Sequence, residues 1–380
     1  MAFLFSRNAK VYVELESSDN IVTTGNTVWQ VPVLDGFSFS QGVESTEITA
    51  LEAGATPSRG RLLFNTAVLP VEWSFSTYIR PFASTGSGTG GAWTGTNGTI
   101  HAVEEVLWAM FLGADTFTVG TGTFSRNGAS GTMHSPGTGS GSQYTLSHAN
   151  LPSFTSKFSI YVSFESGGTA EKVYRITDAV VNSATIDFDI EGIATIQWSG
   201  FGKNITDQGT VIPTRDIYEK VSDTSTFIRN RLSTLNLDLT TPALAESLIS
   251  LTGGSITFEN NITYLTPEEL GIVNQPFANI AGTRSITGNL TCYLDTKANG
   301  SALLWKTLLE ATTTVRNSAA MTISIGGSTG NRLAFDIPTA HLEIPTIGVE
   351  DLLTLDVAFH AQPATSDFSA TNELTFKYFA

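Results

Sequence analysis

Hydrophobic and polar side chains alternate along residues 71–79, in the first third of the chain. One face carries Trp73, Phe75, Thr77 and Ile79, and the other carries Glu72, Ser74 and Ser76. A period of two is the pattern of a strand with one buried face. A Gly/Ser-rich segment follows, and then an apolar stretch over residues 102–112 predicts a short helix centred on Trp108.

The same order of elements returns in the second half of the chain. Residues 284–294 alternate again, with Ile286, Leu290 and Cys292 on the apolar side. Residues 302–309 then predict a second short helix with Trp305 in its middle. The pattern therefore indicates one fold written twice, so that function should be sought in symmetry before a catalytic pocket.

Six apolar positions repeat at one constant shift in numbering, 337 − 176 = 161. Those in the first copy are Ile176, Ala179, Val181, Ile186, Ile196 and Trp198, and those in the second are Ile337, Ala340, Leu342, Ile347, Val357 and Phe359. Further upstream, residues 36–39 correspond to residues 254–258 at a shift of 218 (254 − 36). We attribute the change of shift to Gly-rich inserts in the first copy, and we predict two tandem domains, 1–215 and 216–380.

Other alternating runs predict further strands, at residues 10–16, 28–40, 158–164, 172–176, 179–184, 185–190, 192–198 and 373–379. In the first of these, Val11, Val13 and Leu15 are expected to face inward, and Tyr12 and Glu14 to face solvent. The predicted fold class is therefore mainly β, with two β-sandwich or barrel domains that each contain one short α-helix.

Several segments between the strands lack periodicity and are predicted to be loops. Residues 41–60 and 260–281 are long and polar, and the second contains a predicted helical turn at 266–269. Residues 84–99 and 119–142 are rich in Gly, Ser and Thr, a composition typical of mobile inserts.

Composition narrows the classes of function. Charged residues make up 14% of the chain and hydrophobic residues 41%, which suits large subunit contacts because few ions need desolvation. The net charge of −15 is shared evenly, with −7 through residue 215 (11 basic, 18 acidic) and −8 beyond it (9 basic, 17 acidic). An acidic chain binds nucleic acid poorly, since such binding neutralises phosphates, although it can surround nucleic acid. Ordinary solubility explains the charge equally well.

No combination of residues predicts catalysis. The five histidines are scattered, without partners at metal-ligand spacing: His101, His134, His148, His341 and His360. The glycines of residues 86–91 match a dinucleotide fingerprint in spacing, but they do not lead directly into a helix. We therefore predict no enzyme, no catalytic residue, no cofactor and no metal site. Cys292, as the single cysteine, excludes an intrachain disulfide and is predicted to be a buried inert thiol.

Three acidic residues alternate near the end of a predicted strand, where they would share one face: Asp187, Asp189 and Glu191. Such a row can bind a cation or can line a solvated or channel-facing surface. The second copy keeps only part of the row, which favours the surface.

Three arginines, Arg59, Arg61 and Arg80, raise the question of phosphate binding. Glu52 and Glu72 lie close to them in the sequence. This proximity favours surface ion pairs over a phosphate site.

The order of these elements resembles the tail tube protein fold of long-tailed bacteriophages. That order is strands, a long loop, the strand at 71–79, a short helix, and further strands that close a sandwich or barrel. The likeness rests on element order and duplication, with residues 71–112 and 284–309 as corresponding cores. Because the fold occurs twice, the chain is similar to duplicated tube proteins, in which three chains build a ring of six similar domains.

The resemblance implies a structural protein of the virion tail that is assembled in the host cytoplasm. Rings would stack into a tube with an acidic lumen that conducts DNA without specific binding, and residues 41–60 and 260–281 would contact the next ring. A ring of six duplicated chains would have a needlessly wide bore, so a trimer with pseudo-sixfold symmetry is expected. Tail sheath, baseplate and terminator proteins are the other implied partners. No apolar run approaches a membrane span, and the N-terminal run is too short for a signal peptide.

Two other classes of protein fit the pattern. One is a different phage structural module, such as a baseplate hub, a tube terminator or a capsid decoration protein. The other is a carbohydrate-binding β-sandwich, which needs exposed aromatic side chains in one cleft. Trp93, in a Gly-rich loop, is the one obvious candidate for such a contact.

Overall fold

Strands make up most of the chain that the structure describes. The computed structural model describes residues 4–16, 27–48, 62–84, 98–118, 121–126, 133–139, 141–146, 157–166, 168–212, 217–218, 227–247, 249–313, 317–349, 351–363 and 373–380. The two α-helices of these ranges are α1 (Glu105–Phe111) and α2 (Ser301–Glu310). Both coincide with the predicted helical stretches.

The strands of the first half are β1 (Ala9–Leu15), β2 (Thr27–Val31), β3 (Ser38–Ile48), β4 (Leu62–Tyr78), β5 (Pro81–Ala83), β6 (Ile100–Ala102), β7 (Thr116–Thr118), β8 (Thr123–Ser125), β9 (His134–Ser135), β10 (Ser142–Leu146), β11 (Phe158–Ser166), β12 (Thr169–Ile176), β13 (Val180–Phe188), β14 (Thr195–Gly202), β15 (Ile205–Gly209) and β16 (Ile217–Tyr218). Those of the second half are β17 (Thr234–Thr241), β18 (Leu244–Ser247), β19 (Leu251–Glu259), β20 (Ile262–Leu265), β21 (Ala278–Ala281), β22 (Ser285–Tyr293), β23 (Ser318–Ile325), β24 (Arg332–Leu342), β25 (Thr346–Gly348), β26 (Thr354–Ala361) and β27 (Leu374–Phe379). The chain is thus mainly β, as predicted.

Strand pairing follows one order twice. In the first half β1 pairs with β11 and β11 with β12, and in the second half β17 pairs with β23 and β23 with β24. The set β3–β4–β14–β13 likewise corresponds to β19–β22–β26, which continues into β25 and the end of β24. Ile160 lies opposite Ile176, and at the predicted shift of 161 (337 − 176) Met321 lies opposite Ile337. Of the six predicted apolar pairs, only one member is exposed, Ile347 at 37%.

The upstream shift of 218 is wrong by one residue. Phe39 lies opposite Trp73, and Phe258 lies opposite Ile286 in the equivalent pair of strands. The shift is therefore 219 (258 − 39). The error comes from matching Gly36 with Gly254. Gly36 lies in a turn before β3, with a φ of 94°, whereas Gly254 lies inside β19.

The indole of Trp108 lies where the two halves of the chain meet. Its ring centroid is 4.8 Å from that of Trp198, 5.3 Å from that of Phe258 and 4.6 Å from that of Phe376. Its N–H donates a hydrogen bond to the hydroxyl of Tyr378 at 2.7 Å. Trp108 is therefore a core residue, and the core is shared, since three of these four partners come from the second half.

Helix α2 is much less buried than α1. All seven residues of α1 are buried, whereas α2 buries one side and leaves Leu303 and Leu309 36% and 45% exposed. Trp305 is half-buried. The two helices therefore occupy equivalent places in the sequence pattern but contribute unequally to packing.

Strand β1 is buried on both faces, so the expectation that Tyr12 and Glu14 face solvent is wrong. Tyr12 packs with Val28, Tyr161 and Val173 in a small second cluster. The hydroxyl of Tyr161 donates to Glu14 Oε2 at 2.6 Å, which satisfies one oxygen of the buried carboxylate. Alternation located the strand, but it carried no sign of this second cluster, which is formed by side chains on adjacent strands of the same sheet.

Parts of the two predicted long loops are hairpins. Residues 41–48 extend β3 and pair with the first part of β4, while residues 49–61 lie outside the described ranges. Residues 260–281 contain the hairpin of β20 and β21. No helical turn forms at 266–269, because the amide of Glu269 donates to Asn274 Oδ1 at 2.8 Å.

The second Gly-rich segment, residues 119–142, is not a mobile loop where the structure describes it. Strands β8 and β9 lie within it, and Phe124 and His134 are fully buried. Strand β10 follows and pairs with β27, the C-terminal strand that alternation had predicted. Residues 85–97, most of the first insert, lie outside the described ranges.

Replacing Trp108 by alanine is expected to lower the free energy of unfolding of the unassembled chain by about 3–5 kcal/mol, the usual cost of truncating a buried tryptophan. The matched control is Trp305→Ala, which removes the same side chain from a half-buried position and should cost clearly less. Urea unfolding followed by far-ultraviolet circular dichroism measures both. Equal losses would contradict the shared core around Trp108.

Candidate functional site

The outer strand of each four-stranded set in the main sheet has an open edge. Strands β13 and β19 pair antiparallel, from Ser183 opposite Glu259 to Phe188 opposite Gly254, and this ladder joins the two four-stranded sets into one sheet. At the ends of the joined sheet, β3 pairs only with β4 and β25 only with β26, among the described strands. Open strand edges present unpaired backbone groups, which natural proteins cover or pair.

Positions that are buried in β13, where it pairs with β19, have exposed counterparts at the open edge of β25. Phe188 is 4% exposed beside β19, whereas its counterpart at the same shift of 161 (349 − 188), Val349, is 81% exposed. Ile186 is fully buried, and its counterpart Ile347 is 37% exposed. The second half thus presents to solvent an apolar edge that the first half buries.

The sheet face opposite the core is rich in hydroxyl and amide side chains. It carries Ser74, Ser76, Thr185, Gln197, Ser199, Ser255, Thr257, Thr287, Asn289 and Thr291. Asp187, Glu72 and Glu259 are exposed on the same face. Strands β3, β4, β13, β14, β19, β22, β25 and β26 together contain six acidic residues and no lysine or arginine. We call this hydroxyl-rich surface the polar face.

The three acidic residues predicted to share one strand face, Asp187, Asp189 and Glu191, do not all lie on that strand. Asp187 lies on the polar face, but β13 ends at Phe188, and Asp189 lies in the turn that follows. There Asp189 Oδ1 accepts the amides of Glu191 at 3.1 Å and Gly192 at 2.6 Å. These hydrogen bonds, that of Gly192 first, lower the pKa of Asp189. Its carboxylate therefore shapes a turn.

Two hairpins project exposed apolar side chains and touch each other. The outer part of β3 and β4 exposes Leu62 (70%) and Phe64 (48%), and the β20–β21 hairpin exposes Leu270 (103%) and Phe277 (64%). The hairpins are joined by the amide of Asn274, which donates to the Thr66 carbonyl at 3.0 Å, and by the amide of Val68, which donates to the Asn274 carbonyl at 2.8 Å. We call this the arm surface. Exposed apolar patches of this kind mark interaction sites.

Arg80 is buried, so the predicted surface ion pair with Glu72 is wrong for it. Its guanidinium lies 4.8 Å from the centroid of the Phe227 ring, and its amide donates to Glu104 Oε2 at 3.3 Å. Burial raises the pKa of the Glu104 carboxyl to about 7. Arg59, Arg61 and Glu52 lie outside the described ranges.

Two of the histidines that looked scattered lie together around one carboxylate. His101 Nδ1 is 3.0 Å from Glu105 Oε2, and His134 Nε2 is 2.8 Å from Glu105 Oε1. All three side chains are fully buried. Burial by itself raises the pKa of Glu105, but the electrostatic interactions and hydrogen bonds of its carboxylate with His134 and His101 outweigh that effect and bring the pKa to about 2. Among the described residues, this is the only group of three or more His, Cys, Asp or Glu side chains whose geometry suits a metal ion.

The sequence held one sign of this cluster that the motif analysis missed, the spacing of four residues between His101 and Glu105. His134 lies in a Gly-rich segment, where no periodicity pointed inward. The other described histidines behave as expected: His360 is partly exposed, with Nε2 2.9 Å from Glu343 Oε1, and His341 lies opposite it in the sheet. His148 lies outside the described ranges.

Cys292 is fully buried. Burial, followed by the nearby carboxylates of Asp295 and Asp356, raises the pKa of its thiol to about 11. A thiol that is neither accessible nor ionised is a poor nucleophile, so the prediction of a buried inert side chain is confirmed.

The doubled sheet with open ends defines a mainly β structural protein. Residues 72–361 match the family described as phage tail tube protein. The chain belongs to this family. It is also 30% identical to the tail tube protein pb6 of Escherichia phage T5 over 384 aligned positions, which cover 98% of this chain and 75% of that protein.

Membership of the family confirms the predicted fold class and the predicted function. The protein is a structural component of the phage virion, and it self-assembles into the tail tube. In the described part of the chain, no helix has both the length and the apolar character needed to cross a membrane.

Proposed function

We propose that three copies of the chain close into a ring with pseudo-sixfold symmetry, and that the stacked rings conduct the genome during ejection. The observation that carries this proposal is the antiparallel ladder between β13 and β19. This ladder joins one half of the chain to the other. The strands left with open edges, β25 and β3, are the counterparts of β13 and β19.

The internal ladder supplies a template for contacts between chains. The counterpart of β13 lies 161 residues later in the chain, and the counterpart of β19 lies 219 residues earlier. If these counterparts pair as β13 and β19 do, residues 344–349 of one copy pair with residues 35–40 of the next. That pairing would cover the exposed edge at Ile347 and Val349 and would satisfy open backbone groups of β25 and of the start of β3. Repeated around a ring, it would leave no edge.

The size of the closed sheet favours three chains. Each chain contributes eight strands: β3, β4, β14, β13, β19, β22, β26 and β24 with β25. Three chains would form a barrel of about 24 strands, with a backbone diameter of about 48 Å for a strand spacing of about 4.8 Å and a tilt of about 40°. Six chains would double this to about 96 Å. After side chains are allowed for, the smaller barrel leaves room for one DNA duplex and its water.

The polar face supports an inward-facing role as the wall of the bore. Its hydroxyl and amide groups are uncharged, and its carboxylates repel phosphate. The strands that form it contain no lysine or arginine, the side chains that bind DNA backbones. DNA could therefore pass without specific binding.

The arm surface supports a role in stacking. It combines hairpins from both halves of the chain, so a ring of three chains would present six similar contacts to the next ring. Tail sheath, baseplate and terminator proteins are the further partners that we propose, with assembly in the host cytoplasm.

For the domain division we retain the proposed units 1–215 and 216–380. One observation argues for a slightly later boundary, since β16 (Ile217–Tyr218) pairs with β2 of the first half. The shared core around Trp108 implies that neither unit folds independently.

Electron microscopy of the purified protein is expected to show stacked rings, each with a mass of three chains of 40.5 kDa. Native mass spectrometry of rings released at low ionic strength checks the number. Six chains per ring would overturn the trimer. Single rings that never stack would favour a hub or terminator. A carbohydrate-binding role would require binding in a glycan screen, and Trp93 lies outside the described ranges.

Ile347→Lys is expected to abolish ring closure while leaving the chain folded, because it places a charge where two chains would pair. Leu303→Lys is the matched control, since Leu303 is 36% exposed and Ile347 37%, and it should assemble normally. Analytical ultracentrifugation measures assembly, and circular dichroism checks the fold. Normal tubes from Ile347→Lys would contradict the proposed edge pairing.

Phe277→Asp, in the arm surface, is expected to allow rings but to shorten or abolish tubes. The charge would have to be desolvated at a contact that otherwise buries apolar surface. Leu309→Asp, on the exposed side of α2, serves as control. Tube lengths in negative-stain images provide the measurement, and full-length tubes from Phe277→Asp would exclude this hairpin from the stacking contact.

A further inference from the structure

The buried cluster of His101, Glu105 and His134 is not explained by ring formation or stacking. Its members come from three separate segments, namely β6, the first residue of α1, and β9. All three side chains are fully buried, and one ligand-type atom from each lies within 4.8 Å of the others. The cluster therefore has the convergence of a binding site without access from solvent.

The negative charge of the buried Glu105 carboxylate needs a compensating positive charge. With both imidazoles neutral, Glu105 would leave a net charge of −1 in a place that water does not reach, which is costly. A bound divalent cation or a proton on one imidazole would balance that charge. The two possibilities differ in what the protein must contain, so they can be separated by experiment.

The donor set favours a metal ion. Two imidazole nitrogens and one carboxylate oxygen form a combination that zinc binds in proteins. His101 Nε2 lies 3.1 Å from Thr99 Oγ1, which in turn lies 2.7 Å from Ser84 Oγ. Metal-bound histidines usually have such a contact at the second ring nitrogen, because it fixes the ring.

A polar group also lies where a fourth ligand of a tetrahedral ion would be. Ser142 Oγ lies 2.6 Å from His134 Nε2 and is fully buried. This hydroxyl or a water molecule would complete a four-coordinate site. The Nδ1 atom of His134 has no hydrogen-bond partner, so His134, unlike His101, would be oriented by ring packing, with its ring centroid 4.5 Å from that of Tyr144.

We propose that His101, Glu105 and His134 are the protein ligands of one buried divalent transition-metal ion, for which zinc is the best fit. The ion would fasten β9 to α1. Strand β9 is only two residues long and lies in a Gly-rich segment, and its ladder with β10 has only two residue pairs. Metal binding adds stability to the folded state where such short elements cannot.

The first test is the metal content of the full-length chain, produced in zinc-supplemented medium and dialysed against metal-free buffer. We expect about one zinc ion per chain. The cobalt-loaded chain should show the visible absorption bands of tetrahedral Co²⁺. A folded chain without bound zinc and without these bands would overturn the proposal and would assign the cluster to an imidazolium–carboxylate pair.

Variants locate the ion. His134→Ala should lose the zinc, whereas His360→Ala should keep it, because His360 belongs to an exposed pair with Glu343. Full zinc content in His134→Ala would overturn the ligand assignment.

A second measurement on the unaltered chain avoids dependence on the folding of variants. Removal of zinc by a chelator should lower the melting temperature by about 5 °C or more, and zinc, but not magnesium, should restore it. A melting temperature that does not respond would overturn a structural role for the ion.

Discussion

The ladder between β13 and β19 is the constraint on which the rest of the architecture depends. A strand has two edges, so joining one half of the chain to the other through these strands leaves two ends open. The chain cannot cover those ends, because their counterparts are already paired with each other. Backbone groups and apolar side chains such as Val349 therefore stay uncovered within the chain, and in the proposed ring another copy would supply the missing strand. The same geometry that completes the chain internally makes it incomplete as a monomer.

The two halves are related in strand order, but they are not interchangeable in packing. Helix α1 is buried because strands of the second half cover it through Phe258, Phe376 and Tyr378, whereas among the described residues no equivalent strands cover the outer side of α2, where Leu303 and Leu309 are exposed. Duplication within one chain allows this difference, since each copy can change independently. The insert that carries His134 and the hairpin of β7 and β8 belongs to the first copy.

Hydrophobic periodicity predicted the mainly β class, both helices and the repeated apolar positions, because each depends on burial of one face of a local element. It failed for the second face of β1, where side chains of adjacent strands form a cluster of their own. Tyr12 and Glu14 alternate as solvent-facing residues do, yet neighbouring strands cover them. Sequence spacing links only His101 to Glu105, four residues later, and could not add His134, which lies far away beyond a Gly-rich segment that has no pattern. Long-range convergence of polar side chains leaves no periodic signal.

The low charge of the strands favours both their association and weak interaction with DNA. A sheet that continues from chain to chain must bring its strands together without desolvating ions, and lysine or arginine at those positions would make that costly. The same absence keeps the polar face from attracting phosphate. Acidic residues are tolerated there because the face stays in water, as the exposure of Asp187 and Glu259 indicates. Hydroxyl-rich strands with a few carboxylates satisfy both conditions, whereas a positively charged face would meet neither. This is why the composition of the chain, unremarkable for solubility alone, becomes informative once the strands are seen to form a single surface.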